Sequence, residues 1–373
     1  MDIKIQEVSS KADIKKFVKF PFNVYKGNNY WVPPIIADEI KSLMPAYNPA
    51  FKHCKAKFWL AIDGQSVVGR IGAIINFDYN KKMQQNIGRF SRFECVNNIE
   101  VAALLFQTAE QWLKNEGMDI VMGPLGFNNL DHQGMMVEGF DHLPSIASEY
   151  HMPYYKDFCE QLGYTKEIDW VEFRLTVRDI PEKALKMNEL IKQRHKLNVL
   201  TFNKIKELLP YGNQIFKVLN AAFAELFSVV AFDDEMVHYF VNRYLKLLNP
   251  KFVKLIENDN KEIVAFIIGL PSLSEAFQKA NGKLFPFGFI HILKAIKHPQ
   301  VVDLMLTGIE PSYQSKGVSA ILITELQKTM LEHGVKYSET TGIFETNHDA
   351  INHWKSYEHI QHKRKRCFKK DLK

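Results

Sequence analysis

The chain has 373 residues, 46% apolar and 24% charged, with a formal net charge of +6. That is the balance of a folded globular protein, and the length exceeds the usual single domain, so two domains are expected, each with a core of its own. No apolar run reaches the roughly 18 residues that span a bilayer, the opening MDIKIQEVSS is neither a signal nor a transit peptide, and Cys54, Cys95, Cys159 and Cys367 lie too far apart for a zinc ribbon or a disulfide framework. A membrane span and a metal site are therefore not expected, and a cytoplasmic location is.

In chain order, a strand over 3–8 precedes a helix over 14–24, with Ser10 and Asp13 placed to cap it. Residues 30–34, YWVPP, are extended, because each residue before a proline is pushed out of the helical region. Stretches 58–62 and 66–75, split by Asp63-Gly64, predict a hairpin. A strand over 89–96, an amphipathic helix over 98–117 capped by Asn98 and stopped by Gly117, and a strand over 119–122 follow. The Gly-rich stretch 123–139 is longer than an ordinary connection, which marks it as functional. A helix over 154–162, ended by Gly163, and a strand over 168–177 close the first half.

Residues 180–196 predict a helical connection. The second half then repeats the first: a strand over 198–202, helices near 204–227 and 233–248, and a hairpin of 252–257 with 262–270. The segment FPFGFIHILKAIK, 285–297, is apolar around much of its circumference and basic at its end. A plain core helix is the first expectation; a cover over a substrate channel and a helix on a membrane surface are the alternatives. A strand over 336–344 and a helix over 347–357 precede the basic run of Lys363, Arg364, Lys365, Arg366, Lys369 and Lys370. That run reads as the solvated face of a last edge strand rather than as a nucleic-acid patch.

The organising stretch is 301–330. Val301 to Ile309 reads as a buried strand that must stop at Pro311, and from Gly317 onward Val318, Ile321, Leu322, Leu326 and Met330 recur at helical spacing. A helix N-terminus leaves backbone N–H groups unpaired and carries partial positive charge, so the loop between is expected to cradle a phosphate or pyrophosphate.

The motif Ile309-Glu310-Pro311-Ser312-Tyr313-Gln314-Ser315-Lys316-Gly317-Val318-Ser319 resembles the acetyl-coenzyme A loop of the GCN5-related N-acetyltransferases, with Ser319 where the family has Gly or Ala. The resemblance implies an α/β (α+β) fold of two acyltransferase-like domains, each a mixed, mostly antiparallel sheet flanked by helices. The expected division is a degenerate copy over 1–178, a helical connection over 179–197 and a cofactor-carrying copy over 198–373. Where the first copy would hold its loop, Val96 to Val101 has no glycine and no basic residue, and Glu100 would face the pyrophosphate.

The resemblance further implies acetyl-coenzyme A, or another acyl-coenzyme A, held by Ile309, Gln314, Ser315, Lys316, Gly317, Val318, Ser319 and Asn347. Its acyl group would pass to an amine of a small molecule, amino acid or peptide, with no nucleic acid involved; a non-catalytic acyl-coenzyme A binding module is the rival reading. In the family's next helix an Asn, an Ala and an acid Tyr recur. Asn347 and Ala350 match, but Trp354 takes the Tyr place, and an indole cannot donate that proton. Tyr357, three residues on along the same face, becomes the candidate acid, and Glu310 and Glu345, at strand ends, the candidate bases. His132, Glu138 and Tyr155 are expected to line a substrate pocket shared between the halves. The acceptor, the acyl length and the oligomeric state stay open at this point.

Overall fold

Residues 2–372 are described by a computed structural model, and the strands among them join into one sheet. The first half contributes β1 (Ile3–Glu7), β2 (Cys54–Asp63), β3 (Ser66–Asn76), β4 (Ile87–Cys95), β5 (Ile120–Gly123), β6 (Met135–Glu138) and β7 (Thr165–Thr176). The second contributes β8 (Asn198–Thr201), β9 (Val253–Glu257), β10 (Ile263–Pro271), β11 (Val301–Ile309), β12 (Tyr337–Thr340), a two-residue β13 (Ile343–Phe344) and β14 (His359–Asp371). Among the described residues only β4–β5 and β11–β12 pair in parallel. The fold class is the mixed, mostly antiparallel sheet that the resemblance implies.

The spatial order is β1-β2-β3-β4-β5-β14-β7-β12-β11-β10-β9-β8, with β6 against β14 and β13 against β7. Each half therefore sends its last strand into the other: β7 lies beside β12, and β14 inserts between β5 and β7. The basic run is thus not on an edge. Lys363 and Lys365 are 2% and 5% exposed and each reaches Glu172 of β7 at 3.2 Å. Arg364 and Arg366 hold the buried Asp169 at 3.2 and 2.8 Å. Cations are tolerated in the middle of a sheet here because each meets a carboxylate of the neighbouring strand.

Helices cover both faces. In the first half, α1 (Ile99–Asn115) buries Val101, Leu105, Phe106 and Leu113 against β3 and β4, joined by α2 (Tyr154–Gln161). The connection is α3 (Glu182–His195), which packs on the helix over Val318–Glu332 through Asn188 and Ile191. In the second half, α4 (Gly212–Phe223) and α5 (Asp234–Tyr244) share a core with Phe58, Leu60 and Phe127 of the first half. Then come α6 (Ser274–Ala280), α7 (Gly288–Lys297), α8 (Val318–Glu332) and α9 (His348–Lys355).

The local departures from expectation have local causes. The helix expected over 14–24 divides at Phe20 into Lys11–Lys19 and Pro21–Val24, since Pro21 has no N–H to continue the ladder. The helix over 204–227 shortens to Ile205–Leu208 and α4 around Pro210. The strand over 336–344 stops at Thr340 and resumes as β13. Segment 285–297 is not a plain core helix: one face of α7 is buried, and Phe289, Ile290 and Leu293 on the other are exposed.

Candidate active site

β11 hands over to α8 through Glu310–Gly317. Pro311–Tyr313 form a single tight turn capped by Glu310, whose carboxylate accepts from Ser312 N at 2.9 Å. Ser315 (φ 58°) and Gly317 (φ 77°) then turn the chain through left-handed backbone, and α8 begins at Gly317 with no side-chain cap. The backbone N–H groups of Ser315, Lys316, Gly317, Val318 and Ser319 donate to no acceptor among the described residues. Five consecutive free donors at the positive end of a helix meet the physical requirement for an anion cradle. Ile191 of α3 backs the loop: a Cβ on Gly317 would sit 2.6 Å from its Cδ1.

Immediately before the loop, the sheet opens. β11 and β12 pair only from Val301–Tyr337 to Leu304–Thr340. There β12 ends, Thr341 Oγ1 donates to the carbonyls of Leu304 and Met305 (3.2 and 3.3 Å), and Ile343 crosses to pair with Val171 of β7. Met305 to Ile309 is left with β10 on one side and no strand on the other. The register slips at the opening, Gly269 facing Leu304 and Ile268 facing Leu306, so Met305 forms a bulge. An extended ligand fits such an edge as an added strand does.

Buried ionisable groups gather where the strands part. Glu339 of β12 meets Arg174 (2.6 Å), His362 (3.3 Å) and Lys363 (3.3 Å). Burial works to raise its carboxyl, but these partners hold it well below the usual range. Burial likewise opposes ionisation of Glu172, and Lys363 and Lys365 outweigh it, bringing it to about 2. Asp303 behaves otherwise. It lies directly across from Glu339 and is 1% exposed, and the side chain of Ser272 is near enough to favour its charged form without a well-formed hydrogen bond. Burial first, and then the charge of Glu339, push it to about 8, with Lys363 and the Ser272 side chain offsetting only part of the rise. Since Val302 and Leu304 face the core under α8, strand alternation turns Asp303 to the opposite face, the side on which Met305 packs with α6 and α7.

Sequence reasoning passed over Asp303, although its signal was there: one acid inside the apolar strand VVDLMLTGI. The residues it did single out are dispersed. Glu310 is half-buried and spent on its own turn, and Glu345 is tied to Lys166 (2.6 Å) and accepts from Asp169 N (3.2 Å). Neither is a free base at the open edge. Tyr357 packs against His353 and Trp354 (ring centroids 5.5 and 6.1 Å apart), and burial raises its phenol above the usual value. Asn347 caps α9 by accepting from Ala350 N at 3.1 Å.

His132 does lie between the halves. It bonds Glu149 (2.8 Å) in a narrow cavity of about 40 Å³ lined by Glu39, Arg92 and Leu130 of the first half and by Arg243 and Tyr244 of the second. Glu138 and Tyr155 are elsewhere. Glu138 is exposed on β6 and pairs with Arg364 (3.2 Å), and Tyr155 is wholly buried in the first half's core.

No family model matches the chain. It is 28% identical over 373 residues to Protein YghO of Escherichia coli (strain K12), covering 97% of this chain and 94% of that one. It is 24% identical over 379 residues to Bacterial ceramide synthase of Caulobacter vibrioides (strain NA1000 / CB15N), covering 95% and 96%. A solved tandem GNAT protein from the clavulanic acid biosynthesis pathway superposes with a TM-score of 0.57 at 11% identity, over 100% of this chain and 99% of that one. The fold is that of the GCN5-related N-acetyltransferases.

Within this GCN5-related fold both halves have the parallel pair, the bulge and a stretch of strand beyond it with no strand beside it, but in the first half side chains and a loop close much of that gap. β4 and β5 pair no further than Arg89–Met122, and a bulge at Arg92 (φ 49°) follows. The first half then closes on itself. Tyr155 Oη accepts from Cys95 N and donates to Cys95 O (both 3.1 Å), Tyr154 Oη donates to the same carbonyl (3.0 Å), and Leu125 N bonds Phe90 O (2.9 Å). At the start of α1 the Asn98 side chain accepts from Glu100 N (2.8 Å), so a donor left free in α8 is here satisfied internally.

Proposed function

We propose that the chain is an acyl-coenzyme A dependent N-acyltransferase, with the cofactor's pantetheine arm along the Met305–Ile309 edge and its pyrophosphate on the amides of Ser315 to Ser319. The observation that carries this reading is the coincidence, in the second half alone, of an unpartnered strand edge and five unpartnered amides beside it. The bound thioester supplies the acyl group and a thiolate leaving group. Asp303 takes the part of general base: an amine arrives as an ammonium, and a buried carboxyl that no well-formed hydrogen bond or ion pair holds, poised near 8, is suited to receive its proton. The likeness to a bacterial ceramide synthase, over nearly the whole length of both chains, favours an acceptor amine carried on an apolar chain over an amino acid or peptide.

The test is thioester cleavage with acyl-coenzyme A donors of graded chain length and a panel of polar and apolar amines. Asp303→Asn is expected to lower kcat by about 10² to 10⁴ while leaving calorimetric coenzyme A affinity unchanged. Wild-type kcat/KM rises with pH through about 8, as the base ionises, and the variant loses that rise. Cofactor binding without turnover across the whole panel would favour a non-catalytic binding module instead.

A further inference from the structure

Exposed large apolar side chains crowd into the insertion between β10 and β11. Phe285 is 75% exposed, Phe287 69% and Leu293 58%, with Phe289 and Ile290 beside them. The rings of Phe285 and Phe289 lie 5.5 Å apart, so these side chains form a patch rather than scattered single residues. The other face of α7 is already used: Ile292, Ala295 and Ile296 pack with Leu270, Leu273 and Met305. A helix apolar on both faces is stable when something covers the second one.

Charge identifies what does. Lys283, Lys294 and Lys297 are exposed around the patch and enter no ion pair among the described residues, and no acidic residue occurs between Glu275 and Asp303. Protein interfaces are depleted in lysine, whereas amphipathic helices that lie on anionic bilayers combine aromatic and leucine side chains with lysine. Among the described residues no helix is long and apolar enough to cross a membrane. We infer that the Phe285–Lys297 insertion is a docking surface for an anionic lipid bilayer, with the phenylalanines in the headgroup boundary and the lysines on lipid phosphates. Because the inner face of α7 touches Met305, docking places the bulge of β11 one helix away from the lipid. The use of that proximity to reach a lipid amine rests on the proposed acyl transfer; the docking itself does not.

The experiment is sedimentation of the full chain with phosphatidylcholine vesicles, with and without phosphatidylglycerol, in the absence of any coenzyme A, so that its outcome is independent of acyl transfer. Wild type is expected to sediment with the anionic vesicles and to be released by salt. Lys294→Gln and Lys297→Gln each reduce partitioning about fivefold, the equivalent of about 1 kcal/mol. A Phe285→Ala, Phe287→Ala, Leu293→Ala triple variant reduces it at least tenfold with unchanged circular dichroism; if the triple variant fails to fold, the lysine variants decide alone. Wild type that stays in solution with anionic vesicles, or lysine variants that bind as wild type does, overturns the inference. So does a dimer seen by light scattering that the triple variant abolishes, which would assign the patch to a second copy of the chain.

Discussion

At Gly317, geometry and electrostatics make separable claims. Its φ of 77° is open to Asn and Asp at modest cost, and either side chain must push Ile191 aside by the same amount. Gly317→Asn and Gly317→Asp therefore differ in charge alone. If the amides of Ser315 to Ser319 hold a pyrophosphate, the Asp variant binds coenzyme A about a hundredfold or more weakly than the Asn variant, since like charges about 4 Å apart near a surface cost on the order of 4 kcal/mol. Calorimetry reads both, with one cofactor per chain; equal affinities in the two variants would remove the electrostatic cradle. The loop was legible in the sequence because everything it needs is local, a strand end, a glycine and a helix start. Asp303 was visible as an acid in an apolar strand, but its isolation is set by Glu339 and Lys363, which the chain brings in only later. Glu310 and Glu345 illustrate the same point: each is engaged, by Ser312 and by Lys166 with Asp169 N, and those partners are not read from position alone.

Among the elements, α9 is where the resemblance is weakest. Trp354 replaces the expected acid, and Tyr357 packs beside it with its phenol raised by burial. A thiol has a pKa near 8.5, so proton transfer from a phenol above 10 to a thiolate runs uphill, while the thiolate departs readily on its own. Tyr357→Phe is accordingly expected to change kcat by less than about threefold in the thioester assay, with coenzyme A affinity unaltered. A loss of tenfold or more would restore Tyr357 as the acid. Two other elements were read correctly as to type and wrongly as to place. β14 carries a run of basic residues as an edge strand can, and nothing within it reveals that Asp169 and Glu172, nearly two hundred residues earlier, are its neighbours. For α7 the apolar pattern was plain, but a sequence does not say which of two apolar faces meets the core.

On the scale of the molecule, the repeated order of strands and helices announced two halves, yet not that they exchange their last strands. The choice between pairing within a half and pairing across halves involves the same residues in the same conformation, so propensity and periodicity are silent on it. The exchange predicts joint stability. β14 supplies the partner of both β5 and β7, and the core that joins Phe58 and Phe127 to Phe240 spans the two halves. Urea unfolding of the full chain is expected to show one transition, coincident by tryptophan fluorescence and far-ultraviolet circular dichroism, and residues 1–178 expressed alone are expected to give no soluble monomer. Two separated transitions, or a folded monomer of 1–178, would show that the halves stand independently.

The placement of β14 also bears on how the chain leaves the ribosome. β5 is complete at Gly123, but the strand that covers its edge starts at His359, so the nascent first half carries unpaired backbone until those later residues are made. Domains ordinarily fold as they emerge, first half first. Here the closing piece of the first half's sheet is translated long after β5, and a product that stops before it presents bare strand edges, which invite aggregation and recognition by chaperones. The fold thus withholds a closed sheet until β14 has been made and has taken its place between β5 and β7.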